Sequence, residues 1–334
     1  MQAAVLAPSA DNNHVVRFKK TDSGIAVHLI PEFLEVPHGK RILGLIACGA
    51  VLENIKLRAL ALGLASEVDC TTENMANGIL VQIRFSRTDP ISDALEHAIP
   101  TRHTNRKFFQ SRKVPELQRN EIASEASQIP GTSLLWLDEG ARRSTALRLV
   151  RLAETQRFRS FELHQELFSA VRFDAGWYST VSEGLPPGSL EVEAPLRLMF
   201  ALLRHWPVMR ALQFLGAHIM IGARASYVPC RFSPHLAVIT AKTNSEDSAI
   251  NAGRALQRVW LRAAGLSVAV QPLAASALYA LTNYAGVPEG LREALGDGWK
   301  QIAGNDFPFM VLRMGYASAP AVRSARLPDQ RYIV

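Results

Sequence analysis

Apolar residues recur at helical intervals in two long stretches of the chain. Residues 40–66 place Ile46, Ala50, Leu57 and Leu60 three, four or seven positions apart, so this stretch is predicted to be a helix. Residues 247–266 repeat the pattern and predict a second strong helix. Gly63 is expected at the C-terminal end of the first helix, and Asp247 or Ser248 at the N-cap of the second.

Other segments follow weaker patterns. A long helix with arginines on its outer face is expected over Glu139–Glu166, and broken helical pieces over 91–128, interrupted at Pro100 and Pro115. Short runs rich in β-branched residues predict strands. These runs lie at residues 15–18, 24–30, 78–85, 132–137, 236–240 and 309–317.

The two strong helices resemble each other in sequence. CGAVLENIKLRALALGL (48–64) and AGRALQRVWLRAAGL (252–266) share a small-residue start, similar leucine spacing and an Ala-x-Gly-Leu ending. Their separation of about 200 residues fits two copies of one α+β unit. Chance similarity between two amphipathic helices is the alternative.

Composition narrows the function classes. The chain has 334 residues with 37 Lys and Arg against 30 Asp and Glu, a formal charge of +7 without any long run of one sign. This pattern is typical of an ordinary basic surface; a site for an anionic ligand is the next interpretation, and nucleic acid comes last. Nine histidines show no metal-ligand spacing, so no metal is expected.

Location is predicted from cysteines and hydropathy. Cys48, Cys70 and Cys230 lie far apart, which favours a reducing compartment, and no signal peptide is recognised, so a cytoplasmic protein is expected. The most apolar stretch, Leu196–Ile221, is interrupted by Arg197, Arg204, His205, Pro207 and Arg210. It predicts an amphipathic or buried helix pair, and no membrane partner is expected.

Three segments carry candidate chemistry. Arg102-His103-Thr104-Asn105-Arg106 offers two guanidinium groups and a hydroxyl, which suit a phosphate, although a solvated helix start is the plainer interpretation. Asn12 could pair with a donor–acceptor edge or simply occupy a turn. The late arginines could anchor a phosphate or be solubilising charge; they are Arg313, Arg323, Arg326 and Arg331.

In order, these motifs resemble the nitroreductase superfamily, and most closely its double-length Acg-type FMN-binding branch. The order runs from Pro-Ser-x-x-Asn through Cys-Gly-Ala-x-x-x-Asn, Arg-x-Thr-x-Arg, the second Gly-Leu helix and Leu-Arg-x-Gly-Tyr-Ala to a late arginine. The resemblance extends from Ala7 to Arg326. It implies an α+β fold duplicated within one chain as a pseudo-dimer, with central antiparallel sheets flanked by helices. The halves would be 1–98 and 99–334, with a helical lid or insertion at about 174–230.

The resemblance also implies the residues of one FMN site. The phosphate and ribityl chain would be held by the Arg-x-Thr-x-Arg segment and a late arginine, and the ring would contact an asparagine and the backbone after the second helix. The residues concerned are Asn12, Arg102, Thr104, Asn105, Arg106, Val270, Gln271, Pro272, Leu273 and Arg326. Flavin would carry the chemistry, so no catalytic side chain is assigned.

The sequence departs from the family where His14, Val15 and Val16 replace Gln-Pro-Trp, which puts the ring contact of Asn12 in doubt. The expected activity is NADH- or NADPH-dependent reduction of a small-molecule electron acceptor such as a nitroaromatic or quinone. The alternatives are an FMN-sequestering protein with a closed site and a flavin-free basic scaffold or nucleic-acid-binding protein. The chain would be a pseudo-dimeric monomer or a homodimer.

Overall fold

The computed structural model describes residues 1–30, 33, 38–69 and 79–334. Within this part of the chain, eight strands form two sheets. The strands are β1 Val16–Thr21, β2 Gly24–Leu29, β3 Leu64–Asp69, β4 Ile79–Arg87, β5 Thr132–Trp136, β6 His235–Ala241, β7 Ala269–Leu273 and β8 Phe307–Gly315. The helices are α1 Gln2–Val5, α2 His38–Ala61, α3 Ala94–Ala98, α4 Glu116–Ser127, α5 Gly140–Arg159, α6 Phe161–Ala170, α7 Arg197–Leu203, α8 Trp206–Gln213, α9 Ala217–Gly222, α10 Val228–Phe232, α11 Glu246–Gly265, α12 Ala275–Leu281 and α13 Glu289–Ala303.

The two sheets have the same topology. The first has the order β1-β2-β4-β3 and the second β5-β6-β8-β7, and every pairing in both is antiparallel. In each sheet a long helix connects the second strand to the third: α2 in the first and α11 in the second. The fold is therefore α+β, with one arrangement of strands and helix present twice.

Helices α2 and α11 pack against each other through two glycines. A Cβ atom on Gly49 would lie 1.9 Å from the carbonyl oxygen of Ile250, and one on Gly253 would lie 2.0 Å from that of Ile46. Ile46 lies three residues before Gly49, as Ile250 lies three before Gly253. The contact is thus reciprocal, as at the interface of a two-fold dimer.

Charged side chains join the same two helices beside the glycines. Glu53 is fully buried on α2 and accepts hydrogen bonds from Arg254 at 3.1 Å and Arg258 at 2.8 Å on α11. Arg258 and Arg262 also bind Glu125 of α4. Removing one member of such a network leaves uncompensated buried charge.

Most predicted elements are present with shifted ends, but some predictions were wrong. The expected helix 139–166 is two helices, because Ser160 is extended and its side chain caps α6. The helix predicted over 40–66 ends at Ala61, and residues 64–69 form β3 instead. Ser245, rather than Asp247 or Ser248, caps α11. The prediction for the first residue of strand 78–85 and for Cys70 lies outside the described residues.

The connection between β5 and β6 is much longer than its counterpart. Residues 22 and 23 join β1 to β2, whereas residues 137–234 separate β5 from β6 and carry α5 to α10. The expected insertion at 174–230 is the later part of this segment. Its helices α7 to α9 pack on α5 and α6 through Phe158, Phe168, Leu203 and Met209.

No helix in the described part of the chain combines the length and the hydropathy that crossing a membrane would need. Cys48 and Cys230 are both buried.

Candidate functional site

A cavity of about 640 Å³ lies where the N-terminal segment, the two long helices, the end of β7 and the long insertion meet. This volume falls in the range of small-molecule and cofactor sites. Both halves of the duplication line it, because α2 contributes Leu43, Ile46 and Ala47 while α11 contributes Leu256 and Trp260. The site is therefore built on the packing of the two long helices.

The end of β7 and α11 form one part of the cavity lining. Gln271, Pro272 and Leu273 line the cavity there, and so does the ring-bearing residue Trp260. The guanidinium of Arg102 lies 4.5 Å from the centroid of that ring. A planar ligand would find extended apolar surface here.

The side chain of Gln271 is fixed from behind by a buried arginine. Arg313 on β8 is fully buried, and its Nε donates to Oε1 of Gln271 at 2.5 Å and its Nη2 to the carbonyl of Lys107 at 2.7 Å. Burial lowers the pKa of Arg313 to about 10. The sequence left this arginine as a phosphate anchor or a solubilising charge; it is neither a surface group nor a member of the cavity lining.

The loop 102–106 is attached to the edge of the cavity by main-chain pairing. Thr104 forms a parallel bridge with Val270, and the backbone N–H of Asn105 donates to the Val270 carbonyl at 3.0 Å. The side-chain amide of Asn105 donates to the carbonyl of Ser318 at 2.9 Å. Asn105 and Val270 thus hold the loop, and Thr104 and Arg106 line the cavity.

Arg106 is the member of this loop whose charge faces the cavity. Its Nη1 donates to the carbonyl of Ser189 at 3.1 Å, and within 4.0 Å it forms no ion pair with a carboxylate of the described residues. Burial lowers its pKa, against the opposing effect of Asp11 and Glu191. A cation with so little compensation is suited to an anionic ligand group.

Arg102, Arg326 and Asn12 lie behind the N-terminal segment and do not line the cavity. Arg326 donates to the carbonyl of Val5 at 2.8 Å and to Oδ1 of Asn12 at 2.8 Å, while Arg102 donates to the carbonyl of Leu6 at 2.9 Å. These bonds hold residues 5–12 in place, and Pro8 to Asp11 of that segment line the cavity.

The buried Arg102 and the half-buried Arg326 behind the segment repel each other. Burial, and to a smaller extent the nearby charge of Arg326, lower the pKa of Arg102 to about 9. The Nε of Arg102 has no hydrogen-bond partner among the described residues. Two cations close to a cavity edge, with an unpaired buried donor, favour the approach of an anion.

A group of charged and polar side chains in the cavity lining, named the charged pole below, was missed in the sequence. Asp11, Glu154, Arg157, Glu166 and Tyr284 all line it. Arg157 forms an ion pair with Glu154 at 3.2 Å, and the hydroxyl of Tyr284 donates to Glu166 at 2.6 Å. The pattern had assigned the arginines of this helix to its outer face, but Arg157, three residues after Glu154, points inward.

Asp11 is the most unusual member of this pole. Its φ of 53° lies in the left-handed region, which an aspartate adopts at some cost. Burial raises the pKa of its carboxyl group, although Arg157 opposes the effect. A carboxyl group that retains its proton more easily than usual, next to a cation, can donate a hydrogen bond or a proton to a ligand.

The long insertion covers the rest of the cavity. Its apolar lining includes Leu185, Leu190, Leu196, Met199 and Phe200, and Arg224 there is paired with Glu193. The sequence offered one signal for this role, the length of the insertion together with its aromatic residues. Among the described residues, no group of three His, Cys, Asp or Glu side chains is arranged to hold a metal ion.

No protein-family model matches the chain. An uncharacterised protein of Mycobacterium tuberculosis, MT1398, is 26% identical over 285 residues, which are 84% of this chain and 39% of that protein. The chain thus spans about two fifths of the length of this curated relative.

The solved structures that this chain resembles include several nitroreductases. A nitroreductase with bound FMN from Bacteroides fragilis matches with 10% identity and a TM-score of 0.41, over 71% of this chain and 96% of that one. The FMN-dependent nitroreductase NfnB of Mycobacterium smegmatis, in complex with NADPH, matches with 22% identity and a TM-score of 0.38, over 71% and 96%. These are members of the superfamily that the sequence motifs resemble. With TM-scores below 0.5, the fold stated above rests on the chain's own sheet order and helix packing.

Proposed function

We propose that this protein binds one FMN per chain in the cavity between α2 and α11 and transfers electrons from NADH or NADPH to a small oxidised acceptor. The observation that carries the proposal is the composition of the cavity: apolar side chains from both long helices and β7, together with the cation Arg106, which forms no ion pair with a carboxylate of the described residues. A planar aromatic ring bearing a phosphate chain has the same division into apolar and anionic parts.

The residues present fit such a cofactor. Arg106 and Thr104 would bind the phosphate or ribityl chain, and the Arg102 and Arg326 charges behind residues 5–12 would add attraction for the phosphate. The backbone at 271–273 and the Trp260 ring would contact the isoalloxazine ring. FMN, when bound, supplies the two-electron transfer chemistry.

The charged pole would serve the acceptor. Arg157 would bind an oxygen atom of a nitro or quinone group, and Asp11 would hold a proton at its carboxyl group for that oxygen. Cavity-lining side chains of the insertion would exclude water from the two reactants. In the alternative function, FMN sequestration, Arg157 and Asp11 would have no role.

Binding is tested by titrating the FMN-free protein with FMN and following flavin fluorescence. Arg106→Ala removes a charge-assisted hydrogen bond worth about 1.5–3 kcal/mol, so the Kd should rise roughly 10- to 150-fold. Arg148→Ala removes an exposed arginine of α5 and is the matched control, with an unchanged Kd. No binding of FMN by the native chain, or equal losses in both variants, contradicts the proposal.

Turnover is tested separately on the FMN-loaded protein. Anaerobic addition of NADH or NADPH should bleach the flavin absorbance, and addition of a quinone should restore it. Flavin that is bound but never bleached points to sequestration instead. An unchanged bleaching and reoxidation rate in Arg157→Gln would remove the role assigned to Arg157.

A further inference from the structure

The outer faces of α7, α8 and α9 expose large apolar side chains. Phe214 is 90% exposed, Leu215 78%, Leu198 73% and Met220 71%. Further apolar side chains are exposed on the same three helices and their connections: Leu196, Met199, Leu202, Val208 and Ile219. We call these nine side chains the outer apolar face.

The inner faces of the same helices are already packed. Phe200, Leu203, Trp206 and Met209 belong to the cluster that includes Phe158 on α5. The helices are therefore apolar on both sides, although a helix that is apolar all round is normally buried. An exposed apolar surface of this extent marks an interaction site.

The formal charges within residues 194–245, which include the outer apolar face, have one sign. Residues 194–245 contain no Asp or Glu, but they include Arg197, Arg204, Arg210, Arg224 and Arg231. Arg204 and Arg210 are exposed, and neither forms an ion pair with a carboxylate of the described residues. Cations interspersed with protruding apolar side chains are the pattern of an interfacial membrane segment.

We infer that the outer apolar face docks on an anionic membrane surface. Its apolar side chains would enter the boundary between headgroups and acyl chains, while Arg204 and Arg210 bind lipid phosphates. The three helices are short and separated by residues 204–205 and 214–216, so they lie on the surface instead of crossing the bilayer. The expectation of no membrane partner is revised by this proposal.

A second copy of the chain fits this face less well. Two such faces in contact would bring arginines together with no carboxylate from residues 194–245 to pair them. An anionic lipid surface has the charge opposite to that of the arginines, and the side chains of Phe214 and Leu215 can insert between its lipids.

The docking face reaches the cavity. Leu196, Met199 and Met220 belong to the outer apolar face and also line the cavity. A lipid-soluble acceptor could enter from the bilayer by this route; that consequence rests on the proposed function, whereas membrane docking does not.

The test is co-sedimentation of the full chain with vesicles of phosphatidylglycerol and phosphatidylcholine, compared with phosphatidylcholine alone. The native protein should sediment with the anionic vesicles, and high salt should weaken binding. Phe214→Glu with Leu215→Glu should reduce the bound fraction at least about tenfold, and Arg204→Glu with Arg210→Glu should abolish the preference for anionic vesicles.

Leu117→Glu is the matched control, because Leu117 is 72% exposed on α4, outside the outer apolar face. It should bind as the native protein does, and thermal unfolding should show that all variants are folded. Native protein that stays in the supernatant at low salt overturns the proposal. An equal loss of vesicle binding in Leu117→Glu also overturns it. A third contrary result is a native protein that binds no vesicles and is a dimer in light scattering, with the dimer converted to a monomer by Phe214→Glu with Leu215→Glu. Because no flavin or turnover is measured, failure here is distinct from failure of the FMN proposal.

Discussion

The two long helices α2 and α11 are alike in backbone and different in charge. Where they cross, the glycine of each helix lies against the carbonyl oxygen of an isoleucine in the other helix. That isoleucine lies three residues before the other helix's own glycine. Four residues after the glycine, however, α2 has Glu53 and α11 has Gln257. The carboxylate of this contact comes from α2 and its guanidinium groups come from α11. The close approach is repeated in the two halves, and the charges make each helix a specific partner for the other.

The two sheets are also alike in one feature and different in another. Their strand orders are identical, but only the second sheet has a long connection, residues 137–234, between its first two strands, and this connection covers the cavity. The loop 102–106 follows the first sheet, and its Arg-x-Thr-x-Arg pattern occurs once in the sequence. The doubled scaffold thus carries a cavity to which both halves contribute side chains.

The largest expected effect comes from removing the charge asymmetry. Glu53→Ala leaves Arg254 and Arg258 facing each other's charge at a buried contact, so the free energy of unfolding should fall by about 3–5 kcal/mol. Chemical denaturation measures it. Glu289→Ala, which breaks an exposed ion pair, is the control, with an effect of roughly 0–1 kcal/mol. Similar losses in the two variants would show that the Glu53 contact is no stronger than a surface pair.

The helix crossing itself is tested by Gly49→Ala and Gly253→Ala. Each methyl group would meet a carbonyl oxygen at about half the normal contact distance, so each should destabilise the protein by about 1–3 kcal/mol or more. Reciprocal packing predicts similar values for the two. Gly296→Ala, in α13 with open space around its Cβ position, should be neutral or stabilising by up to ~1 kcal/mol. A Gly49→Ala variant as stable as Gly296→Ala would refute the close approach.

A smaller effect distinguishes the helix ends. Gly63 and Ser267 each lie fourteen residues after the crossing glycine, and both have a positive φ, of 75° and 59°. Gly63→Ala should therefore cost about 1 kcal/mol, and Ser267→Gly should stabilise by a few tenths to about 1 kcal/mol. Thermal unfolding of the two variants measures this difference; a stabilising Gly63→Ala or a destabilising Ser267→Gly would mean that the two ends are not equivalent.

The smallest effect concerns Asp11, which the first half contributes to the shared cavity. Because burial raises its pKa in the folded state above the ordinary value of 3.8, the folded state binds the proton more tightly than the unfolded chain does. The free energy of unfolding should then fall as pH rises from about that value through the raised pKa. In Asp11→Asn this fall should be reduced. When the free energy of unfolding of each protein is plotted against pH, the two plots should separate as pH rises and then run parallel. Plots that are parallel at every pH would mean that the pKa of the Asp11 carboxyl group is not perturbed.

Local sequence patterns determined a large part of the fold. The apolar periodicity of residues 40–66 and 247–266 predicted both long helices, and β-branched runs predicted six strand positions, because these signals depend on which face of an element is buried. The likeness of the two helices indicated the duplication. Its details were misaligned, however: the Ala-x-Gly-Leu endings are not equivalent, since Gly265 lies inside α11 and Ser267 takes the position that Gly63 has after α2.

The tertiary structure alone decided which polar residues meet. Five of the ten expected site residues line the cavity: Thr104, Arg106, Gln271, Pro272 and Leu273. Arg102, Arg326 and Asn12 hold residues 5–12 instead, and Arg157 turns inward on a helix whose pattern placed it outside. The sequence pattern shows which face of a helix packs on the core. A charged side chain that lines a cavity and a charged side chain in solvent interrupt this pattern in the same way. Only the packing of α2, α11 and the insertion around the cavity shows which charged residues line it and which face solvent.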